Sequence, residues 1–318
     1  MISIKLIKDA QKNLSGLIEK TPVVKSYSLS NLRNNNTYLK LESLQETGSF
    51  KLRGSTNKLL NLSKKERKRG VVAISTGNHG KGVAYAANKL GIKATIFMSK
   101  LVPKDRLEAI KKLGATVKIM GNTSDEAEVE AKKYIKKTQK IMVHPFDDPH
   151  VIAGQGTIGL EMLDQFPDLD TVVVPTSGGG LIGGIAIAVK YYKPKTKIIA
   201  VSMKNGASMY QSLKKGYPID VTERKTLADS LGGSIGLNNK YTFNILQNYI
   251  DDFVTINEKQ IASGIKYNFR EHKLVTEGAA ATGIVLIKDK LSKYLGKNIM
   301  CLVCGGNINP QTFIKTIK

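Results

Sequence analysis

From Val71 onward, short apolar runs alternate with longer stretches that are apolar on one side only. Val71-Val72-Ala73-Ile74 precedes a helical run from about Gly80 to Leu90, and Ala94-Thr95-Ile96-Phe97-Met98 precedes a helix that Pro103 is placed to start. Thr116-Val117-Lys118-Ile119 comes before a helix over Asp125 to Lys137, and Ile141-Met142-Val143 closes this series. A second series has a helix near Gly156 to Asp164, the strand Thr171-Val172-Val173-Val174, a glycine-rich loop and another helix. It continues with Lys197-Ile198-Ile199-Ala200-Val201 and with strands near Phe253 to Ile256 and Ile299 to Val303. This alternation predicts an α/β protein with two parallel sheets and crossover helices. Two such units imply a cleft between them, and in these folds ligands sit beyond the carboxyl ends of the strands. The chain shows no internal repeat, low-complexity segment or coiled-coil heptad.

Composition narrows the picture only slightly. The chain has 318 residues, 41% hydrophobic and 24% charged, which excludes disordered and fibrous classes and allows a sizeable core. No apolar run approaches a membrane span, and the start, Met1 to Asp9, lacks a continuous signal-peptide core, so a cytoplasmic location is expected. The net charge of +23 raises the idea of a nucleic-acid partner. Only Lys64-Lys65-Glu66-Arg67-Lys68-Arg69 is dense, however, and most of the excess is Lys spread over helix faces, which favours a solvated basic surface with no nucleic-acid or membrane partner. Cys301 and Cys304 form a Cys-x-x-Cys inside an apolar strand, where three residues apart means opposite faces. With His79, His144, His150 and His272 scattered, no structural metal is expected.

Three loops carry candidate chemistry. Pro175-Thr176-Ser177-Gly178-Gly179-Gly180-Leu181-Ile182-Gly183-Gly184 follows a strand and opens a helix, so its backbone N–H groups can converge on a phosphate. Gly178, Gly180 and Gly183 also fit the dinucleotide pattern, which supports a nicotinamide-dependent oxidoreductase as an alternative. The acid that pattern needs is missing, since Ser202, Met203 and Lys204 stand at the end of the next strand. A third reading is that the glycines merely let helices pack closely. In Ser49-Phe50-Lys51-Leu52-Arg53-Gly54 a lysine precedes a helical run; in a cleft, desolvation would lower its pKa toward a Schiff-base role, whereas on the surface it would be one solvated lysine among many. Ser75-Thr76-Gly77-Asn78-His79-Gly80 follows a strand and begins a helix; it reads as a plain N-cap turn or as a carboxylate-binding loop.

Together these segments resemble the threonine dehydratase and serine racemase family of fold type II pyridoxal-phosphate enzymes, from Thr21-Pro22-Val23 to Cys304-Gly305-Gly306-Asn307. The resemblance implies a large cofactor-binding domain over 1–68 and 148–318 and a small mobile domain over 69–147. It makes Lys51, next to Phe50, the lysine that carries pyridoxal 5'-phosphate. Asn78 becomes the partner of the cofactor's phenolic oxygen, Ser177 to Leu181 the phosphate loop, Glu277 a carboxylate near the ring and Cys304 the neighbour of the pyridine nitrogen. Ser75, Thr76, Gly77, Asn78 and His79 would hold the substrate carboxylate. The implied reaction turns a β-hydroxy amino acid into a 2-oxo acid and ammonia, in a homodimer or homotetramer.

Departures from the family pattern refine this. Racemases commonly carry a second serine where Thr76 stands, so dehydration is favoured over serine or threonine racemisation. Leu52 sets the chain apart from β-replacing relatives, which usually have an acidic residue there. Met203 and Met209 occupy the positions at which some relatives bind Mg²⁺ or Ca²⁺, so no metal is expected. The chain ends about one helix after Cys304, so a feedback regulatory domain is not expected. Ser230, where most threonine dehydratases have Gly, lies in a run that resembles the dehydratases of hydroxyectoine utilisation, which implies a hydroxylated diaminobutyrate as a candidate substrate.

Overall fold

The computed structural model describes residues 2–75, 77–100, 102, 104–122 and 124–318. Among them the strands are β1 (Val23–Lys25), β2 (Asn36–Leu41), β3 (Val71–Ile74), β4 (Ala94–Met98), β5 (Thr116–Ile119), β6 (Ile141–Met142), β7 (Thr171–Pro175), β8 (Lys197–Met203), β9 (Asp252–Ile256) and β10 (Asn298–Val303). They form a six-stranded sheet of order β1-β2-β10-β7-β8-β9 and a four-stranded sheet of order β5-β4-β3-β6. Every pairing is parallel except β1 with β2, so crossover helices cover the sheets as the alternation predicts.

The period of two along a strand decides what each sheet buries. In β3, Val71 and Ala73 point into the core shared with the Asn78–Lys89 helix residues Val83, Ala84 and Ala87. Val72 points the other way, to Phe97 and to Ala131 of the Ser124–Thr138 helix. The larger sheet is apolar on both faces, and β7, β8 and β10 contribute almost every residue to one core. Two helices of this sheet, Pro149–Gln165 and Gly180–Tyr192, cross backbone to backbone: a Cβ on Gly184 would lie 2.3 Å from the Ile152 carbonyl oxygen. The close-packing reading of the glycine run therefore holds for Gly184. No described helix is long and apolar enough to cross a membrane.

The helix Lys51–Leu60 joins the two cores, since Leu52 and Leu59 belong to the core of the smaller sheet while Arg53 faces the Pro149–Gln165 helix. Arg53 (1% exposed) donates to both carboxylate oxygens of Glu42 (0%) at 2.8 Å each. It also donates to both oxygens of Glu161, at 2.6 and 2.9 Å, and Lys40 (0%) reaches Glu161 at 2.5 Å. Burial alone would raise the Glu42 carboxyl, but the Arg53 guanidinium, helped by the Thr21 hydroxyl and Lys40, more than reverses it and holds Glu42 below the usual carboxylate range. The helix that starts at Lys51 is thus pinned by a buried ionic network one turn from its first residue.

Candidate active site

The three sequence loops meet in one cleft of about 770 Å³ between the sheets. Phe50, Lys51, Ser75, Gly77, Asn78, His79, Ser177 to Leu181, Glu277 and Cys304 all line it. Thr76 lies outside the described residues.

Lys51 enters the cleft at the first residue of its helix. The chain just before it is zipped to the segment after β10: the Phe50 N–H donates to the Cys304 carbonyl at 3.1 Å, and the Gly306 N–H donates to Gly48 at 3.0 Å. This register brings Lys51 and Cys304, far apart in the chain, to the same wall. The Lys51 ammonium donates to the Pro145 carbonyl at 2.7 Å, and burial lowers its pKa to about 8. Burial and the nearby Glu277 push the Cys304 thiol well up, so it stays protonated and lends Lys51 no negative charge. Cys301, one strand face away, packs in the core and is pushed by burial to about 12. Both cysteines are free, as the strand geometry requires.

The glycine loop lies opposite. A Cβ on Gly178 would stand 2.3 Å from the Phe146 ring, and one on Gly180 would stand 2.7 Å from the Phe146 carbonyl, so the loop rests directly on the chain after β6. Gly179 has φ +87°, which turns the chain into the Gly180–Tyr192 helix. The first N–H groups of that helix lack carbonyl partners within it, and Gly180 to Ile182, at the positive end of its dipole, line the cleft. Met209 packs beneath Gly179 and Met203 is buried, so both positions carry apolar side chains. Among the described residues no group of three or more His, Cys, Asp or Glu side chains is placed to hold a metal.

The asparagine loop caps the cleft from the four-stranded sheet. Asn78 Nδ2 donates to both Glu277 oxygens at 3.0 Å, and Asn78 Oδ1 accepts from Asn307 at 2.7 Å. Glu277 is raised by burial, and the Asn78 and Ser230 hydrogen bonds partly counter this. His79 is buried against the Val143 carbonyl at 2.8 Å; burial and the Lys51 charge lower it to about 3, so it is neutral.

Sequence reasoning missed several lining residues. His144 accepts the Asp147 and Phe146 amides on Nδ1, which leaves its Nε2 bearing the proton, and burial lowers its pKa. Its signal was its place just after the carboxyl end of β6. Asn307 stood in the Cys304-Gly305-Gly306-Asn307 landmark without a role of its own, and Phe146 and Arg106 gave no pattern to read.

This arrangement is a fold type II cleft: parallel sheets, a desolvated lysine on one wall and a glycine anion cradle on the other. The chain belongs to the family of pyridoxal-phosphate dependent enzymes, which matches over residues 14–305, and its cofactor is pyridoxal phosphate. It is 44% identical over 318 residues to the L-threonine ammonia-lyase of Thermotoga maritima, covering 100% of this chain and 79% of that protein. It is also similar in structure to maize serine racemase, with a TM-score of 0.93 and 30% identity over 99% of this chain and 96% of that one. A processed threonine deaminase isoform 2 of Solanum lycopersicum matches with a TM-score of 0.92 and 34% identity over 98% and 86%. The family match selects the pyridoxal-phosphate reading over the nicotinamide one.

The donor set suits the cofactor. The loop from Ser177 to Leu181 heads a helix beside the cleft and is seated on Phe146 too closely for a Cβ at Gly178 or Gly180, Lys51 offers an amine with a pKa of about 8, and Cys304 offers a neutral group.

Proposed function

We propose that the protein is a lyase of the threonine dehydratase type, converting a β-hydroxy amino acid of the threonine or serine kind into a 2-oxo acid and ammonia. The observation that carries this is the desolvated Lys51 amine sharing a cleft with the glycine cradle and the protonated Cys304. Ser177, Gly178, Gly179, Gly180 and Leu181 would hold the cofactor phosphate, Phe50 and Asn78 its ring, and Cys304 its nitrogen. When bound, the cofactor supplies an electron sink for the pair left on the substrate's α-carbon.

The remaining work falls to this chain. Ser75, Gly77, Asn78 and His79, with Thr76 between them, bind the substrate carboxylate and fix the α-carbon above Lys51. The Lys51 amine takes the α-proton, and its low pKa keeps a useful fraction unprotonated near neutrality. Neutral Cys304 does not reinforce the sink as a carboxylate would, so departure of the β-hydroxyl as water, with the proton that Lys51 took, outpaces return of that proton to the α-carbon. A water molecule then releases the nitrogen as ammonia to leave the 2-oxo acid. Closure of the 69–147 unit over the 1–68 and 148–318 unit excludes water during these steps.

A hydroxylated diaminobutyrate is the second substrate reading. Glu128, Glu223 and Asp229 line the cleft, where an extra substrate ammonium would find carboxylates. The test is ammonia release from threonine, serine, 3-hydroxyaspartate and hydroxylated diaminobutyrate, with loss of α-hydrogen followed in deuterated solvent. The dehydratase reading expects 2-oxo acid to exceed α-exchange. Exchange without ammonia would turn the assignment to racemisation, and inertness toward all four would overturn it.

A further inference from the structure

The single turn Asp229–Leu231 has two polar side chains that reach in different directions. Asp229 Oδ2 accepts from Arg106 at 2.5 Å, on the Lys104–Lys112 helix beside the four-stranded sheet. Ser230 Oγ donates to Glu277 Oε1 at 2.8 Å. Glu277 in turn accepts from Asn78, which heads the Asn78–Lys89 helix of that same sheet. The turn is therefore the middle of a bonded circuit that leaves the small sheet at Arg106, crosses the cleft and returns at Asn78.

The turn is held at its base, and at its far end Leu231 packs into the core of the larger sheet. The Leu227 N–H donates to Glu258 at 2.8 Å, and a Cβ on Gly278 would lie 2.2 Å from the Leu227 carbonyl, so the approach is wedged on the Gly278–Lys288 helix. Beyond Leu231 come Gly232 and Gly233, the latter at φ +106°. The Arg106–Asp229 pair itself is 29% and 50% exposed, which gives it little value as a stabilising bridge. It lies one residue from Ser230, which bonds Glu277.

We propose that Ser230 is a positioning residue for Glu277, and that Arg106, by holding Asp229, sets Ser230 in place. This rests on the lyase reading for the reaction, but not for the contacts. Glu277 is faced by Asn78 and Lys81 from one helix, Arg106 from the next, Asp229 and Ser230 from the turn, Lys51 from its helix and Cys304 after β10. The Ser230 and Arg106 contributions lower the Glu277 pKa, while the Asp229 charge raises it. Electrostatics alone therefore makes Asp229→Ala lower the Glu277 pKa. Positioning makes it raise the pKa, because Ser230 is released.

The experiment measures two curves on cofactor-loaded protein: the acid limb of kcat with the best hydroxy amino acid, and the pH midpoint of the cofactor's visible band without substrate. Ser230→Ala moves both upward and lowers kcat roughly tenfold, the scale of one hydrogen bond to a charged group, and Ser230→Thr restores both. Asp229→Ala also moves them upward, and Arg106→Asp combined with Asp229→Arg brings them back. The proposal is overturned if folded, loaded Ser230→Ala keeps both wild-type curves or if Asp229→Ala moves them downward. A wild-type protein that releases no ammonia would sink the lyase reading alone, since the band midpoint still reports the Glu277 contacts.

Discussion

Arg53→Met removes the cation at the centre of the network behind Lys51. In the folded protein Glu42 would keep only the Thr21 hydroxyl at 2.6 Å and a long contact from Gln45 at 3.4 Å, while Glu161 would keep Lys40. An uncompensated carboxylate at zero exposure costs about 3–5 kcal/mol, and the methionine recovers only the packing of the side-chain stem. The sign with pH follows from Glu42. In the wild type its folded pKa is depressed, so its contribution is present above the unfolded value and lost as pH falls. Without Arg53, burial dominates and the folded pKa lies above the unfolded one, so stability is lost as pH rises. The gap between the two proteins should therefore be widest near neutrality and narrow toward pH about 4.3, the ordinary Glu value. Urea unfolding followed by far-ultraviolet circular dichroism across this range reads the gap as a midpoint shift at constant slope. Arg53→Lys should fall between, because it keeps the charge but loses the two-pronged contact. A loss below about 1 kcal/mol, the scale of a surface pair, or a gap that does not change with pH, would refute the reasoning.

In the cofactor-free protein, Lys51 should acylate with an apparent pKa of about 8, ahead of surface lysines, as read by mass mapping against pH; a rate typical of the other lysines would contradict its desolvation. Gly178→Ala should weaken cofactor binding by roughly tenfold or more, since displacing the Phe146 ring costs about 1–3 kcal/mol; unchanged affinity by spectroscopic titration would show that the cradle does not hold the phosphate. Cys304→Ser should retain most elimination activity, whereas Cys304→Asp should lower the ratio of 2-oxo acid formed to α-hydrogen exchanged. An unchanged ratio in a loaded Asp variant would place Cys304 away from the ring nitrogen.

The strands were legible wherever a short apolar run stood between helical stretches, because β3, β4, β7, β8 and β10 are buried on both faces. β1 and β2 were missed: β1 is a three-residue edge strand, and β2, paired on both sides, carries Lys40, whose buried charge hides the strand in a hydrophobicity pattern. The helix expected near Gly156 begins at Pro149, since its Asp148 cap and Pro149 start precede the apolar stretch that marked it. Site residues that share a loop, such as Ser177 to Leu181, could be read from local spacing. Ser230 drew notice only as a departure from a pattern, because its contact with Glu277 spans 47 residues. The bond from Arg106 to Asp229 spans 123, and no local pattern encodes a pairing that the cleft creates.

The central claim is that Lys51 is the amine to which the cofactor is joined. Borohydride reduction of the cofactor-loaded protein, followed by proteolysis and mass mapping, tests it directly, because reduction fixes the adduct on whichever lysine carries it. The account predicts a single reduced adduct on Lys51 and none in Lys51→Ala. A stoichiometric adduct on any other lysine, or a loaded protein that yields none, would contradict it.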